Sequence, residues 1–225
     1  TQGVTTISPT LVMEMVHALT LTKYTGQHEL LDRIAYFIHS EPFRFHCEHI
    51  LSILRDFRTL GHSSNRLFHI LLKKQHELAS CTPTGLSYVP YIMGQNVGYL
   101  QQKGSEGFLA QSLDLLATPG SYKLPTEARL FKSKDRAWYE RLLAAYGPQR
   151  RRKRHVPPAA HQLDEVQEIL DTYMKEEPAV SLLTIGEGIH LLQGLEELGI
   201  RNEMLLSAMA DKWAPKMVED GQVKT

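Results

Sequence analysis

Residues 50–68 read ILSILRDFRTLGHSSNRLF, and residues 188–206 read GIHLLQGLEELGIRNEMLL. Both place apolar residues at helical spacing, then Leu-Gly, then a short polar turn, then an apolar pair. Leu54, Phe57, Leu60, Gly61, Leu67 and Phe68 correspond to Leu192, Leu195, Leu198, Gly199, Leu205 and Leu206, about 138 residues later. A unit that recurs along a chain is the mark of a stacked helical-repeat protein, in which each unit buries its apolar face against its neighbours. The expected fold is all-α: a right-handed solenoid of about five helical hairpins, about ten helices, at roughly 33–45 residues per unit. Such folds work by presenting an extended surface rather than a catalytic pocket.

Outward from these segments, the rest of the chain reads mostly as helix. Ser8-Pro9 suits the start of a first helix, with Ser8 as cap and Pro9 in the first turn. Its stripe is Val12, Met13, Met15, Val16 and Leu19, and Thr25-Gly26 breaks it. Leu30, Leu31, Ile34, Phe37 and Ile38 carry the next helix. In the 50–68 unit Gly61 suits a helix C-terminus, where a left-handed conformation costs little without a Cβ, and Ser63, Ser64 or Asn65 can cap the second helix of the unit. Cys81-Thr82-Pro83-Thr84-Gly85 reads as a linker, and a third hairpin is expected from Val89 to Leu100 and from Phe108 to Leu116. Gly94 and Gly98, four apart, are expected to share a helical face. Helices are also expected over 137–146 and 163–174, and Pro178 opens the last hairpin.

The 225 residues are 42% hydrophobic and 22% charged, ordinary values for a globular chain with a sizeable core. No apolar run approaches the roughly 18 residues that a membrane helix needs, so no membrane contact is expected. Two cysteines, Cys47 and Cys81, are too few for a disulfide framework. The net charge of zero hides an uneven distribution: residues 120–160 carry 11 Lys/Arg and 3 Asp/Glu, while residues 161–225 carry 5 Lys/Arg and 13 Asp/Glu. The chain therefore divides into N-terminal helical repeats over 1–119, a basic insertion with one helix over 120–160, and C-terminal helical repeats over 161–225.

At Ile50–Leu72 and Ile189–Trp213 the pattern resembles the degenerate helical-hairpin repeats of organellar RNA-metabolism proteins. These are the octotricopeptide and heptatricopeptide families and the helical regions that precede RAP domains in FASTK-like proteins. The resemblance implies a mitochondrial (matrix) protein that handles RNA or sits in an RNA-containing assembly: the mitoribosome, its assembly intermediates, or an RNA editing or stability complex. Two features depart from the pattern. The residues show no RAP-type nuclease-like domain, and no pair of polar positions recurs in the way a one-base-per-repeat code requires.

The best candidate site is the run Arg150, Arg151, Arg152, Lys153, Arg154. Five contiguous cations repel one another and gain from an anionic partner, and RNA phosphates supply one with release of counterions. Lys132, Lys134 and Arg136 enlarge the patch, and Tyr122, Phe131, Trp138 and Tyr139 offer aromatic faces nearby. The plainer reading is a solvated loop, or one that docks an acidic protein surface. His46, Cys47 and His49 lie close together, and His62, His69 and His76 recur every seven residues. Neither set has the paired spacing of a zinc site, and capping or solvated histidines are the better account. No nucleophile motif or phosphate cradle occurs. The expectation is thus a non-enzymatic, cofactor-free and metal-free subunit whose partners are RNA and other protein subunits, with no small-molecule substrate. The runner-up is a protein-only adaptor, for example an accessory subunit of a respiratory assembly.

Overall fold

The computed structural model describes residues 7–24, 26, 28–123 and 175–219. The protein is all-α, and no strand occurs among the described residues. These hold α1 (Pro9–Leu21), α2 (Glu29–Ser40), α3 (Cys47–Thr59), α4 (Asn65–Lys73), α5 (Pro83–Gly94), α6 (Val97–Leu100), α7 (Ser105–Ala117), α8 (Ile185–Glu197) and α9 (Glu203–Glu219). Three short 3-10 turns, Pro42–Arg44, Gln75–Ser80 and Ala179–Leu182, connect them. The helices expected over 137–146 and 163–174 lie outside the described residues.

The two Leu-Gly segments build the same local structure. After α3, the Gly61 amide donates to Arg58 O at 2.9 Å and the His62 amide to Phe57 O at 2.9 Å. After α8, the Gly199 amide donates to Glu196 O at 3.0 Å and the Ile200 amide to Leu195 O at 2.9 Å. Both pairs form a Schellman motif, which turns the chain through a left-handed residue and satisfies carbonyls that the helix end would leave bare. The glycines carry φ of +70° and +65°, where an L side chain is strained. Three residues on, Ser64 Oγ accepts from the Leu67 amide at 3.4 Å, and Asn202 Oδ1 accepts from the Leu205 amide at 3.1 Å. Each is the cap of the second helix of its unit.

A third Schellman motif ends α1, with Lys23 at φ +50° in place of glycine. The first helix therefore stops before Thr25-Gly26, earlier than expected, because hydrogen bonds from the Lys23 and Tyr24 amides close it at Thr20 and Leu19.

The third hairpin also begins earlier than its composition suggests. Thr82 caps α5 by accepting from the Gly85 amide at 3.1 Å, and Pro83 takes the first helical position, where its missing N–H is no loss. Cys81–Gly85 is thus a helix start rather than a linker. Gly94 and Gly98 do not share a helix: α5 ends at Gly94, and Asn96 caps α6 by accepting from the Gly98 amide.

Helices α1, α3, α5 and α8 pack side by side in one row, and α2 packs beside α4 in a second. Neighbours run parallel. Across α3 and α5, Arg55 meets Tyr88 and Arg58 meets Tyr91, a constant offset of 33 residues. Along α2, Asp32 meets His62 in the turn before α4 and Tyr36 meets Arg66 in the first turn of α4, so the two helices run in the same direction. Across α5 and α8, Thr84 meets Glu187 and Tyr88 meets His190. Helix α7 lies against α5, and α9 against α7.

One apolar core runs through all of this. Ile50, Leu51, Ile53, Leu54 and Phe57 of α3 are buried between α1 and α5, and Leu205, Met209 and Trp213 of α9 extend the core to the last helix. Phe68 of α4 stacks on Tyr99 of α6 at 4.1 Å between ring centres, and the Tyr99 hydroxyl accepts from the Ser64 amide at 2.9 Å. Gly194 marks the tightest helix contact. A Cβ there would collide with the backbone of Pro90 and Tyr91, so α8 lies on α5 main chain to main chain.

Candidate functional site

The basic residues singled out from the sequence, Arg150–Arg154 with Lys132, Lys134 and Arg136, lie outside the described residues, as do Phe131, Trp138 and Tyr139. Of that group only Tyr122 is described. It is a core residue, 2% exposed, and its hydroxyl donates to Cys81 O at 3.0 Å. It therefore offers no face to a base.

The described residues build instead a ladder of cations and aromatic rings across the first row of helices. Arg55 donates from Nη1 to the Tyr88 hydroxyl at 3.0 Å and from Nε to Asp56 Oδ1 at 2.8 Å, and its guanidinium lies 4.9 Å from the Tyr88 ring centre. Arg58 stacks on Tyr91 at 3.6 Å and grips both carboxylate oxygens of Glu197 through Nη2, at 2.6 and 2.7 Å. His190 packs against Tyr91 at 4.7 Å and Tyr88 at 6.0 Å. Burial, with the charges of Arg55 and Arg58, lowers the His190 pKa and favours the neutral ring. Asp56 is 1% exposed, its Oδ2 standing 3.4 Å from His17 Nδ1 on α1. Most of these charges meet one another, while Asp56 Oδ2, Arg58 Nη1 and His190 Nδ1 are buried without a hydrogen-bond partner among the described residues. The ladder ties α1, α3, α5 and α8 together.

A second polar knot joins the start of α3 to the start of α5. The Cys47 amide donates to Glu77 Oε2 at 2.7 Å, and Glu48 accepts from the Thr82 amide at 2.9 Å and the Thr82 hydroxyl at 2.6 Å. His46 and His49 form a reciprocal cap. His46 Nδ1 accepts from the Glu48 amide, and His49 Nδ1 accepts from the His46 amide at 3.1 Å. Their clustering in the sequence is helix capping. His62 stacks on His28 at 5.0 Å and approaches Asp32 at 3.4 Å, while His69 and His76 lie exposed on other elements. Among the described residues no group of three or more His, Cys, Asp and Glu could hold a metal ion. Cys47 and Cys81 are fully buried, and hydrogen bonding to Cys47 together with burial keeps the Cys81 thiol protonated.

The outer face of α2 and α4 differs from both. Tyr36 is 63% exposed and Phe43, in the turn after α2, 81%. Arg66, His69 and Lys73 are exposed along one face of α4. Sequence reasoning passed over these residues. The signal was an aromatic residue off the apolar stripe of an amphipathic helix. Among the described residues no helix is long and apolar enough to cross a membrane.

No family model matches the chain, and neither does any curated protein or solved structure.

Proposed function

We propose that the protein is a non-catalytic subunit of a mitochondrial ribonucleoprotein assembly, built as a right-handed solenoid of helical hairpins. The observation that carries this reading is the recurrence of one unit. The α3–α4 and α8–α9 segments share the same Schellman turn and the same cap three residues later. Parallel helices at a constant offset are what stacked units produce. In this reading Arg150–Arg154, with Lys132, Lys134 and Arg136, meet RNA phosphate, and the remaining helical faces meet neighbouring subunits.

The test is RNA binding by the full chain, measured by fluorescence anisotropy across a salt series. Affinity should fall steeply with salt, and alanine at 150–154 should weaken binding and flatten the salt slope. Binding unchanged by that variant would remove the basic segment from the account.

A second reading, a protein-only adaptor, is favoured by one feature. Ile185, Ile189 and Leu192 form an exposed apolar stripe along α8, and Met204 stands exposed at the start of α9. An adaptor of this kind would show no RNA affinity, and it would lose its partner when Ile189 is changed to Asp.

A further inference from the structure

The correspondence between α3 and α8 extends to the faces on which each helix meets the row. Asp56 of α3 approaches His17 of the preceding member, α1. Its counterpart in α8, Gly194, lies on the backbone of Pro90 and Tyr91 in the preceding member, α5. Both helices thus turn the same side backward along the row. The side that α3 turns forward is marked by Arg55 and Arg58, which reach Tyr88 and Tyr91 of α5. Leu51 and Leu54 stand four residues before these arginines, on the same face, and are buried. Their counterparts in α8 are Ile189 and Leu192, and those of the arginines are Gln193 and Glu196. All four are exposed. Helix α8 therefore holds open the kind of face on which α3 receives the next helix of the row.

The other end of the row is open as well. Val12, Met13 and Val16 form the buried side of α1, and α3 packs on this helix. On another side Leu11 and Met15 are 46% and 44% exposed. Leu11, Met15, Ala18 and Thr22 recur at steps of four, three and four residues, and all are exposed. Ile185, Ile189, Leu192 and Glu196 recur at the same steps and are exposed too. Each set is one continuous stripe along its helix. Laid parallel, as neighbours in the row are, the two stripes set Ile185, Ile189 and Leu192 against Leu11, Met15 and Ala18. Glu196 then falls beside Thr22 and Lys23. Neither Glu196 nor Lys23 has an ion-pair partner among the described residues. A row of stacked units stays soluble by ending on polar outer faces. Among the described residues this row ends on apolar stripes of equal spacing, with opposite charges at matching ends.

We propose that α8 of one copy of the chain docks on α1 of the next, parallel to it as α3 is to α5, so that copies continue the row head to tail. Such a contact joins two different surfaces, and builds a ring if the rotation closes or a filament if it does not. The proposal does not rest on RNA binding by the basic segment.

The experiment is light scattering after gel filtration of the full chain, from about 1 to 100 µM, the range of a micromolar contact. The mass of the parent should rise with concentration above that of one chain. Ile189→Asp closes the α8 face and Met15→Asp the α1 face. Each should weaken self-association at least about tenfold, because a carboxylate would be buried among apolar side chains. An equimolar mixture of the two variants should form a dimer and grow no further, since each brings the face that the other lacks. Lys23→Glu should weaken assembly about threefold at low salt, and adding Glu196→Lys to that chain should restore it.

A parent that keeps the mass of one chain throughout would overturn the proposal and leave the stripe of α8 to a different protein. If Met15→Asp still self-associates while Ile189→Asp does not, the α8 faces pair with each other and the head-to-tail contact is wrong. The contact is also wrong if the mixture stays monomeric although circular dichroism shows both variants folded. Should either aspartate unfold the chain, Ile189→Gln and Met15→Gln take their place. Alanine at 150–154 should assemble like the parent whatever it does to RNA affinity; a loss of assembly there would assign the contact to the basic segment instead.

Discussion

The segments 50–68 and 188–206 share a turn, a cap and a pattern of apolar residues, yet they meet different surroundings. In α3, Leu51 and Leu54 are 0% and 2% exposed, because α1 flanks the helix on one side and α5 on the other. The corresponding residues of α8, Ile189 and Leu192, are 56% and 38% exposed, although Leu191 and Leu195 are as buried as Ile53 and Phe57. Helix α8 presses one side onto α5 and leaves the other open. Local sequence sets how each unit folds, and its place in the row sets how much it buries. Equal motifs therefore carry unequal energies.

That contrast can be broken most sharply by deleting equivalent side chains. Leu54→Ala should cost about 3 kcal/mol through lost burial and a cavity, whereas Leu192→Ala should cost under about 1 kcal/mol; urea denaturation of both variants checks the difference. Equal losses would mean that the open side of α8 is not open in solution. Gly194→Ala should destabilise by about 2–3 kcal/mol, since its methyl must enter the Pro90–Tyr91 backbone. Thermal unfolding measures this, and hydrogen exchange should show α8 loosened before α3.

The turns should behave alike where the helices do not. Gly61→Ala and Gly199→Ala should each cost about 1 kcal/mol, because both must hold a positive φ and neither would meet a neighbouring atom. A double-mutant cycle on Arg58 and Glu197, which links the two units directly, should return a coupling of about 0.5–1 kcal/mol in a denaturant series. The arginine is 8% exposed and the glutamate 33%, so solvent screens part of the pair.

The smallest effect concerns pH. His62 and His190 both titrate below the unfolded value of 6.5, chiefly because burial disfavours the charged ring. The unfolded chain then takes up protons first as pH falls. Their contribution to stability is full above about pH 6.5 and is lost as pH drops below it. Glu77, lowered from 4.5 despite burial by its bonds to Lys74 and Cys47, acts in a more acidic range. The melting temperature should decline from pH 7 to pH 5, and His190→Gln should flatten that decline.

Much of this architecture was legible in the residues themselves. Leu-Gly followed by Ser64 or Asn202 spells a helix end and a new start, and both segments obey it. Thr82-Pro83 was misread, because Cys-Thr-Pro-Thr-Gly has the composition of a loop, although a Thr cap and a Pro at the first position also open a helix. The meaning of Gly194 was hidden, since only the partner backbone makes a mid-helix glycine necessary. The ladder of Arg55, Arg58, Tyr88 and Tyr91 depends on the offset between α3 and α5, which no local pattern reveals. Lys23, in a conformation that favours glycine, gave no sign of ending α1. Tyr36 was visible only as an aromatic off the apolar stripe of α2.

The most direct test of the central claim is a crosslinking map. The full chain would be irradiated with single-stranded RNA containing 4-thiouridine, digested, and the modified peptides identified by mass spectrometry. Adducts on the peptides of the 150–154 segment are predicted. Absence of adducts, or adducts confined to the open stripe of α8 at Ile185, Ile189 and Leu192, would contradict the account.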